Sequence, residues 1–186
     1  MQNLSSLTKS KFFKKKIYLG GASGVGKSTV AMKIAKIINL PVFEVEAKNC
    51  WNKPVGIIRQ KCFAYEFVRK MFYGDGIYTN HIIAVYGYTM VMGIKGLKEE
   101  LETATLLNKN NLILLSLKDK NEMRKRIKMR KKLDKDREQN IVEDMIDIHY
   151  KAQQYMIDFA LKNNIPIVYT DNKTVDDIAI EIMKLM

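Results

Sequence analysis

The sequence predicts an α/β protein with three layers, in which a five-stranded parallel sheet has helices on both faces. Short runs of Val, Ile and Leu alternate along the chain with longer segments of helical periodicity. Runs that are apolar at nearly every position are typical of strands buried on both faces, as in parallel sheets. With 186 residues, 47% of them hydrophobic and 28% charged, the chain is long enough for a full core. We therefore expect residues 1–186 to form a single domain.

Each predicted strand is a short apolar run next to turn residues. The clearest is 112–117, a nearly continuous apolar run that follows asparagines. The turn Gly74-Asp75-Gly76 leads into the third strand, because glycine and aspartate favour turns. The predicted strands are residues 16–19, 40–45, 77–79, 112–117 and 165–169.

The helices are predicted from apolar residues that recur at spacings of three and four. The glycine-interrupted stretch 82–94 is too short to span a membrane and suits a buried helix, although it is also the candidate surface for a homodimer. Thr174 is the expected N-cap of the last helix. The longest helix carries the stripe Ile141, Met145, Ile148, Ala152, Tyr155 and Phe159. The predicted helices are 29–39, 55–72, 82–92, 97–107, 119–132, 141–159 and 174–185.

The segment from Gly21 to Thr29 matches the phosphate-binding pattern G-x-x-x-x-G-K-[ST] without a gap. It lies between a predicted strand and a predicted helix, where backbone N–H groups and the helix dipole favour a bound anion. Lys27 would reach the β- and γ-phosphates of a nucleotide, and the Ser28 hydroxyl would ligate Mg²⁺. The residues expected to bind the nucleotide here are Gly21, Ser23, Gly24, Val25, Gly26, Lys27, Ser28 and Thr29.

The net charge of +12 is concentrated in two clusters. One covers residues 9–16 and the other residues 118–137. Such a charge suits a nucleic-acid partner, because a basic surface releases counterions from a phosphate backbone. The clustering in the second segment equally suits a basic lid over nucleotide phosphates, and a solvated charged helix is the plain alternative.

The two cysteines, Cys50 and Cys62, have no metal-binding or redox spacing. Together with a nucleotide-binding motif they indicate a reduced, intracellular protein. The basic N-terminus is followed by no apolar run with a cleavage site, and no segment is long enough to cross a membrane. We therefore expect a cytoplasmic protein with no membrane partner.

Two arginines, Arg126 and Arg130, lie four residues apart on a predicted helix, and Asp136-Arg137-Glu138 follows. Here the chain resembles thymidylate kinase and its relatives among the P-loop nucleoside and nucleotide kinases. The resemblance implies the P-loop NTPase fold with strand order 2-3-1-4-5, ATP and Mg²⁺ as cofactors, and a lid near residues 119–140. It implies that Arg130 and Arg137 neutralise the transferring phosphoryl group, while Arg126 contacts the nucleotide or braces the helix.

The same resemblance suggests acceptor residues beyond the second strand. Deoxynucleoside kinases have a similar Glu…Trp spacing, which here falls on Glu46 and Trp51. By that resemblance, Glu46 positions or deprotonates the acceptor, or holds a metal-bound water, and Trp51 borders the substrate. Thymidylate kinases usually have Glu-Pro where this chain has Glu46-Ala47. Glu44 is the alternative carboxylate, and an exposed loop glutamate is the plain reading of Glu46.

Gln60 and Phe63 look like the glutamine and aromatic pair that contact the base in deoxynucleoside kinases. An amide donates and accepts at once, which suits the edge of a pyrimidine. Arg69 lies near a family arginine and is a further candidate for substrate binding. A helix-surface residue is the plain alternative for Gln60.

The family pattern fails at the tip of the third strand, where related kinases have Asp-Arg or Glu-Arg and this chain has Asn80-His81. An asparagine suits Mg²⁺ less well than a carboxylate does. His81 is a candidate phosphate contact, since an imidazole is partly cationic at neutral pH. Three outcomes stay open: Glu46 alone supplies the metal carboxylate, the acceptor is not a nucleotide, or the protein binds ATP and catalyses poorly.

The sequence thus predicts a kinase that transfers phosphate from ATP to a nucleoside monophosphate such as dTMP. A deoxynucleoside kinase, or a kinase for another small molecule, is the first alternative. A catalytically weak ATP-binding protein with a regulatory or nucleic-acid-binding role is the second.

Overall fold

The computed structural model of the chain describes residues 16–44, 47–71, 73–133 and 142–186. Its five strands form one parallel sheet in the order β2-β3-β1-β4-β5, which confirms the predicted fold class and strand order. The strands are β1 (Lys16–Gly20), β2 (Val42–Phe43), β3 (Gly76–Tyr78), β4 (Leu112–Ser116) and β5 (Ile167–Tyr169).

Eight α-helices connect and cover these strands in the described part of the chain. Short 3₁₀ turns at Lys95–Leu97 and Lys109–Asn111 precede α5 and β4. No described helix has the length and apolar character to cross a membrane. The helices are α1 (Lys27–Ile38), α2 (Lys48–Trp51), α3 (Ile57–Met71), α4 (Ile82–Val91), α5 (Lys98–Leu106), α6 (Lys120–Leu133), α7 (Val142–Lys162) and α8 (Val175–Leu185).

The second strand, as far as it is described, is shorter than the predicted run 40–45, whose last residue, Val45, lies outside the described residues. Only Val42 and Phe43 pair with β3, in parallel register with Ile77 and Tyr78. Pro41 has no N–H to donate, but its carbonyl accepts from Ile77 N at 2.9 Å. After this short edge strand, the chain leaves the sheet at its carboxyl edge, next to the loop that follows β1.

The buried helix predicted at 82–92 is confirmed as α4, whose Ile82, Ile83 and Val85 belong to the core. Gly87 lets α4 approach α7 closely. A Cβ on Gly87 would lie 2.6 Å from the Ala152 carbonyl oxygen, a distance that real Cβ atoms essentially never show. The two helices thus pack with backbone near backbone, which places neighbouring side chains of α4 against α7.

The predicted apolar stripe of α7 is partly wrong. Ala152 and Phe159 are buried and Met145 is half-buried, but Ile148 and Tyr155 are 39% and 43% exposed; Ile141 lies outside the described residues. The buried face includes Gln153, whose amide pairs with Leu117: Leu117 N donates to Oε1 at 3.0 Å and Nε2 donates to Leu117 O at 2.6 Å. The prediction counted only apolar residues, so it missed a buried glutamine that satisfies the backbone at the end of β4. The buried face of α7 is therefore rotated from the one predicted.

At the start of α8, Thr174 is the N-cap, as predicted. Its hydroxyl accepts from Asp177 N at 3.1 Å, and Asp177 Oδ2 accepts from Thr174 N at 3.2 Å. This is a capping box, which satisfies two backbone donors at once.

The sequence suggested that the two cysteines are reduced, and this expectation is wrong. Cys50 and Cys62 form a disulfide that joins α2 to α3. The expectation of reduced cysteines rested on their spacing along the chain and on the nucleotide-binding motif. The fold brings the two residues together because the turn between α2 and α3 lays one helix against the other. The bond ties the four-residue helix α2 to the longer α3.

We predict that reducing this disulfide lowers the free energy of unfolding by roughly 2–3 kcal/mol, because it releases a short loop in the unfolded chain. Urea titrations with and without dithiothreitol measure the difference. The Cys50→Ser/Cys62→Ser double variant is the control and should be insensitive to the reductant. Two titratable thiols in the untreated, denatured protein would contradict the pairing.

Candidate active site

The loop between β1 and α1 is shaped by glycines with positive φ: Gly21 at 136°, Gly24 at 86° and Gly26 at 94°. A Cβ on Gly21 would lie 2.4 Å from the Leu115 carbonyl oxygen, so the backbone there passes too close to β4 for any side chain. Gly26 is the N-cap of α1, and because a glycine has no side chain, no side chain caps this helix end. The loop therefore curls at the carboxyl edge of the sheet with the N-terminus of α1 behind it, the arrangement that favours an anion.

The Lys27 side chain folds back over this loop. Its Nζ donates to the carbonyl oxygens of Gly21 at 2.9 Å and Ala22 at 2.7 Å. The ammonium group is thus held at the rim of the curl by the loop's own carbonyls. A cation fixed there, beside glycine-rich backbone, is suited to a polyphosphate.

One residue further along, the Ser28 hydroxyl donates to Glu44 Oε1 at 2.6 Å. Glu44 directly follows β2, so the parallel sheet brings it to the same edge as the loop. A hydroxyl and a carboxylate in contact are the oxygen ligands that Mg²⁺ uses, with water and phosphate oxygens filling the other positions. No group of three or more His, Cys, Asp or Glu side chains gathers in the described segments, so a metal there would need such outside ligands. These residues fit Mg²⁺ held together with a nucleotide.

The predicted acceptor carboxylate, Glu46, lies outside the described residues. The described structure instead places the alternative, Glu44, against Ser28. The sequence favoured Glu46 through a spacing to Trp51. Because β2 ends at Phe43, Glu44 is the first residue past the strand edge.

The opposite side of the loop is closed by α6 and β5. Arg126 donates from Nη1 to Thr170 Oγ1 at 3.0 Å, from Nη2 to Thr170 O at 2.9 Å and from Nε to Glu122 Oε1 at 2.8 Å. Thr170 Oγ1 in turn lies 3.2 Å from the Val25 carbonyl oxygen. Arg126 therefore braces α6 against β5 and, through Thr170, against the loop; its contact with a nucleotide stays a prediction.

Arg130 and Arg137 are the other two arginines predicted for the lid. Arg130 lies on α6, with its side chain outside the described part of the structure, and Arg137 lies outside the described residues. Of the predicted nucleotide-binding residues in the loop, Val25 is buried with its carbonyl oxygen against Thr170, and Thr29 is exposed.

A cavity of about 390 Å³ opens beyond the end of β2, between α2 and α3. Arg69, predicted as a substrate residue, lines it and pairs with Glu66 at 2.8 Å. Sequence reasoning missed most of the lining, because it matches no motif and comes from two separate helices. The lining residues are Glu44, Ala47, Lys48, Asn49, Glu66, Arg69 and Lys70.

The predicted base-contacting residues do not line this cavity. Gln60 is 3% exposed, and both ends of its amide contact α4: Oε1 accepts from Thr89 Oγ1 and Nε2 donates to Met92 Sδ, each at 3.3 Å. Trp51 is 64% exposed and packs edge-on against Phe63, with ring centroids 5.1 Å apart. Because α3 packs on α4, Gln60 faces α4 and not the solvent, so it is not a helix-surface residue.

His81 is completely buried and is the N-cap of α4, where its Nδ1 accepts from Ile83 N at 3.2 Å. Burial lowers the pKa of the imidazole to about 3, so the ring is neutral at physiological pH. Its ring packs on that of Tyr18, with centroids 5.3 Å apart. Because desolvation keeps the His81 ring neutral, the ring does not provide the partly cationic phosphate contact that the sequence suggested.

The fold and this loop define the class of the protein: an α/β P-loop nucleoside-triphosphate-binding protein. The chain belongs to the ATPase family associated with various cellular activities (AAA), whose model matches residues 17–183. No curated protein sequence matches the chain.

Solved P-loop kinases share the fold. Deoxyadenosine kinase from M. mycoides with bound dCTP aligns with a TM-score of 0.66 at 16% identity, covering 91% of this chain and 97% of that one. The YorR protein from Bacillus subtilis, in complex with phosphorylated GDP, has a TM-score of 0.64 at 18% identity, with 91% and 94% covered. Shikimate kinase from Acinetobacter baumannii, in complex with shikimate, has a TM-score of 0.61 at 15% identity, with 98% and 96% covered.

We predict that the buried His81 makes folding stability depend on pH. The unfolded imidazole takes up a proton below about pH 6.5 while the folded one stays neutral to about pH 3, so stability falls as pH drops through this window. His81→Asn keeps an acceptor for Ile83 N but does not titrate. Urea midpoints measured between about pH 7 and pH 4 should fall less steeply for this variant than for the native chain. Equal slopes would contradict the assignment.

Proposed function

We propose that this chain transfers the γ-phosphoryl group of ATP to a small acceptor. The observation that carries the proposal is the position of Glu44. Its carboxylate accepts the Ser28 hydroxyl hydrogen bond at 2.6 Å and also lines the cavity beyond β2. One side chain thus joins the phosphate-binding loop to a separate pocket, which is what transfer between two bound molecules requires.

The donor side would use residues of the loop and of β2. Lys27 would contact the β- and γ-phosphates, and Ser28 with Glu44 would hold Mg²⁺. When bound, the metal would neutralise charge on the phosphate oxygens. Glu44 borders both sites and is therefore the carboxylate best placed to orient an acceptor hydroxyl; Glu46 remains the alternative for that role.

The lid belongs to the proposal as well. We assign it to α6 and the residues that follow, near 119–140, with Arg130 and Arg137 covering the transferring group. An arginine that closes over the phosphates offsets charge in the transition state and excludes water. The brace from Arg126 to Thr170 supports this by holding the base of α6 at the loop.

A nucleoside monophosphate such as dTMP is the first acceptor to test. The cavity carries three cationic side chains, on Lys48, Arg69 and Lys70, which suit a phosphate group. Two structural neighbours were solved with nucleotides, dCTP in deoxyadenosine kinase and phosphorylated GDP in YorR.

A small charged acceptor without a base is the second candidate. The amide of Gln60 is occupied by α4, and the described residues of the cavity lining include no aromatic side chain on which a base could stack. Shikimate kinase, which covers 98% of this chain, was solved with shikimate, a non-nucleotide ligand.

The test is transfer of label from [γ-³²P]ATP in the presence of Mg²⁺ to a panel of nucleosides, nucleoside monophosphates and hydroxylated carboxylic acids. Label in a nucleoside diphosphate supports the first acceptor class, and label in a phosphorylated acid supports the second. Slow ADP formation with no labelled acceptor would contradict the kinase, and salt-sensitive retention of DNA would then favour the nucleic-acid-binding alternative suggested by the charge of +12.

We predict that Lys27→Ala lowers transfer at least a hundredfold, because it removes the cation at the loop rim. Lys36→Ala, an exposed position in the last turn of the same helix, is the matched control and should transfer like the native chain. Activity retained by Lys27→Ala would place the reaction elsewhere or in a contaminant.

We predict that Glu44→Gln weakens Mg²⁺-dependent nucleotide binding about tenfold, because the neutral amide is a poorer metal ligand. Nucleotide binding measured in EDTA should change much less, which separates a metal effect from a packing effect. Glu66→Gln, which alters another carboxylate of the same cavity, is the control for Mg²⁺ dependence. An equal loss with and without the metal would remove Glu44 from the metal site.

A further inference from the structure

One polar contact outside the phosphate-binding sequence pattern reaches the loop from the helical layer. The Tyr88 hydroxyl on α4 accepts a hydrogen bond from Ser23 N at 3.3 Å and lies 2.7 Å from His149 Nδ1 on α7. The three residues are separated by more than sixty positions in sequence, with 65 between Ser23 and Tyr88. No sequence motif links them, so only the fold brings them together.

The contact acts on one peptide unit. The Ala22 carbonyl and the Ser23 N–H belong to the same planar group and point in opposite directions. Lys27 Nζ binds the carbonyl at 2.7 Å, and the Tyr88 hydroxyl binds the N–H. The peptide is therefore held at both ends, and rotating it would break both hydrogen bonds and release the lysine ammonium.

The direction of the hydrogen bonds follows from the chemistry. Burial raises the pKa of the Tyr88 phenol to about 12, so the group keeps its proton at neutral pH. A backbone N–H is only a donor, so the phenol oxygen accepts from Ser23; in the His149 tautomer protonated at Nε2, Nδ1 accepts the phenol proton across the 2.7 Å contact. His149 therefore orients the hydroxyl that orients the loop.

Helix packing makes this reach possible. Gly87, next to Tyr88, lets α4 lie so close to α7 that a Cβ there would collide with the Ala152 carbonyl. The Tyr88 and His149 rings meet edge to face, with centroids 5.5 Å apart. The pair is thus anchored where α4 and α7 pack closely against each other.

We propose that Tyr88, oriented by His149, is a positioning residue that fixes the Ala22–Ser23 peptide and thereby presets the Lys27 ammonium for the phosphates of a nucleotide. This role rests on the proposed function, since it assumes that the loop binds ATP. Neither side chain touches the phosphates; each acts through the backbone of the loop.

The first test is Tyr88→Phe, which removes only the hydroxyl. Binding of N-methylanthraniloyl-ATP with Mg²⁺, followed by fluorescence, should weaken by about three- to tenfold, the range that loss of one hydrogen bond supports. Tyr86→Phe is the matched control. Tyr86 lies on the same helix, with its ring 4.9 Å from that of Phe159, and its hydroxyl hydrogen-bonds to Glu102 on α5. It should bind the probe like the native chain.

His149 gives the rescue. His149→Leu removes the acceptor and should weaken the probe as Tyr88→Phe does. His149→Asn places Oδ1 where Nδ1 stood and should bind within about twofold of the native chain, because an amide oxygen accepts the same phenol proton. Amide hydrogen exchange at Ser23 should speed up in Tyr88→Phe and His149→Leu but not in the other two variants.

Each remaining outcome overturns the idea. Native probe affinity in Tyr88→Phe rejects the positioning role while leaving ATP binding intact. An equal loss in Tyr86→Phe, or in His149→Asn and His149→Leu alike, shows a packing effect instead. If the native chain binds no probe, the proposed function fails together with the role of Tyr88.

Discussion

Lys27 carries a positive charge back onto the loop that precedes it, and the shape of the site depends on this contact. Its Nζ is shared between the Gly21 and Ala22 carbonyls, in a turn where Gly21 adopts a φ of 136° that glycine tolerates. The approach of this backbone to β4 also leaves no room for a Cβ at Gly21. The sheet, the glycine and the lysine therefore form a single constraint, and the N-terminus of α1 adds its dipole to it.

The parallel sheet explains how other parts of the site come to the same place. Every strand ends at one edge, so Glu44 after β2, the loop after β1 and Thr170 after β5 are neighbours in space. Ligands bind at this edge in open α/β sheets because the connections there diverge to either face. The cavity lined by Glu44 and Arg69 lies on the β2 side, and the brace from Arg126 lies on the β5 side.

Three polar side chains behind the loop make hydrogen bonds within the protein. Gln153 satisfies the backbone at the end of β4, His81 caps α4, and Tyr88 connects Ser23 to His149. Each of these side chains interrupts an otherwise apolar face and is hydrogen-bonded to backbone or to another side chain, although His81 Nε2 is buried without a hydrogen-bond partner among the described residues. The helical layer of α4 and α7 therefore supports the loop by hydrogen bonds as well as by packing.

The sequence by itself determined the class of fold and the phosphate-binding loop. Both depend on local information: five apolar runs between periodic segments, and a contiguous pattern in which spacing along the chain equals spacing in the site. Only the tertiary structure decided the rest. The cavity combines α2 with α3, the Cys50–Cys62 pair joins the same two helices, and Gln60 faces α4 instead of a substrate. Those outcomes depend on how helices rotate and pack, because burial and partner choice are set by neighbours distant in sequence.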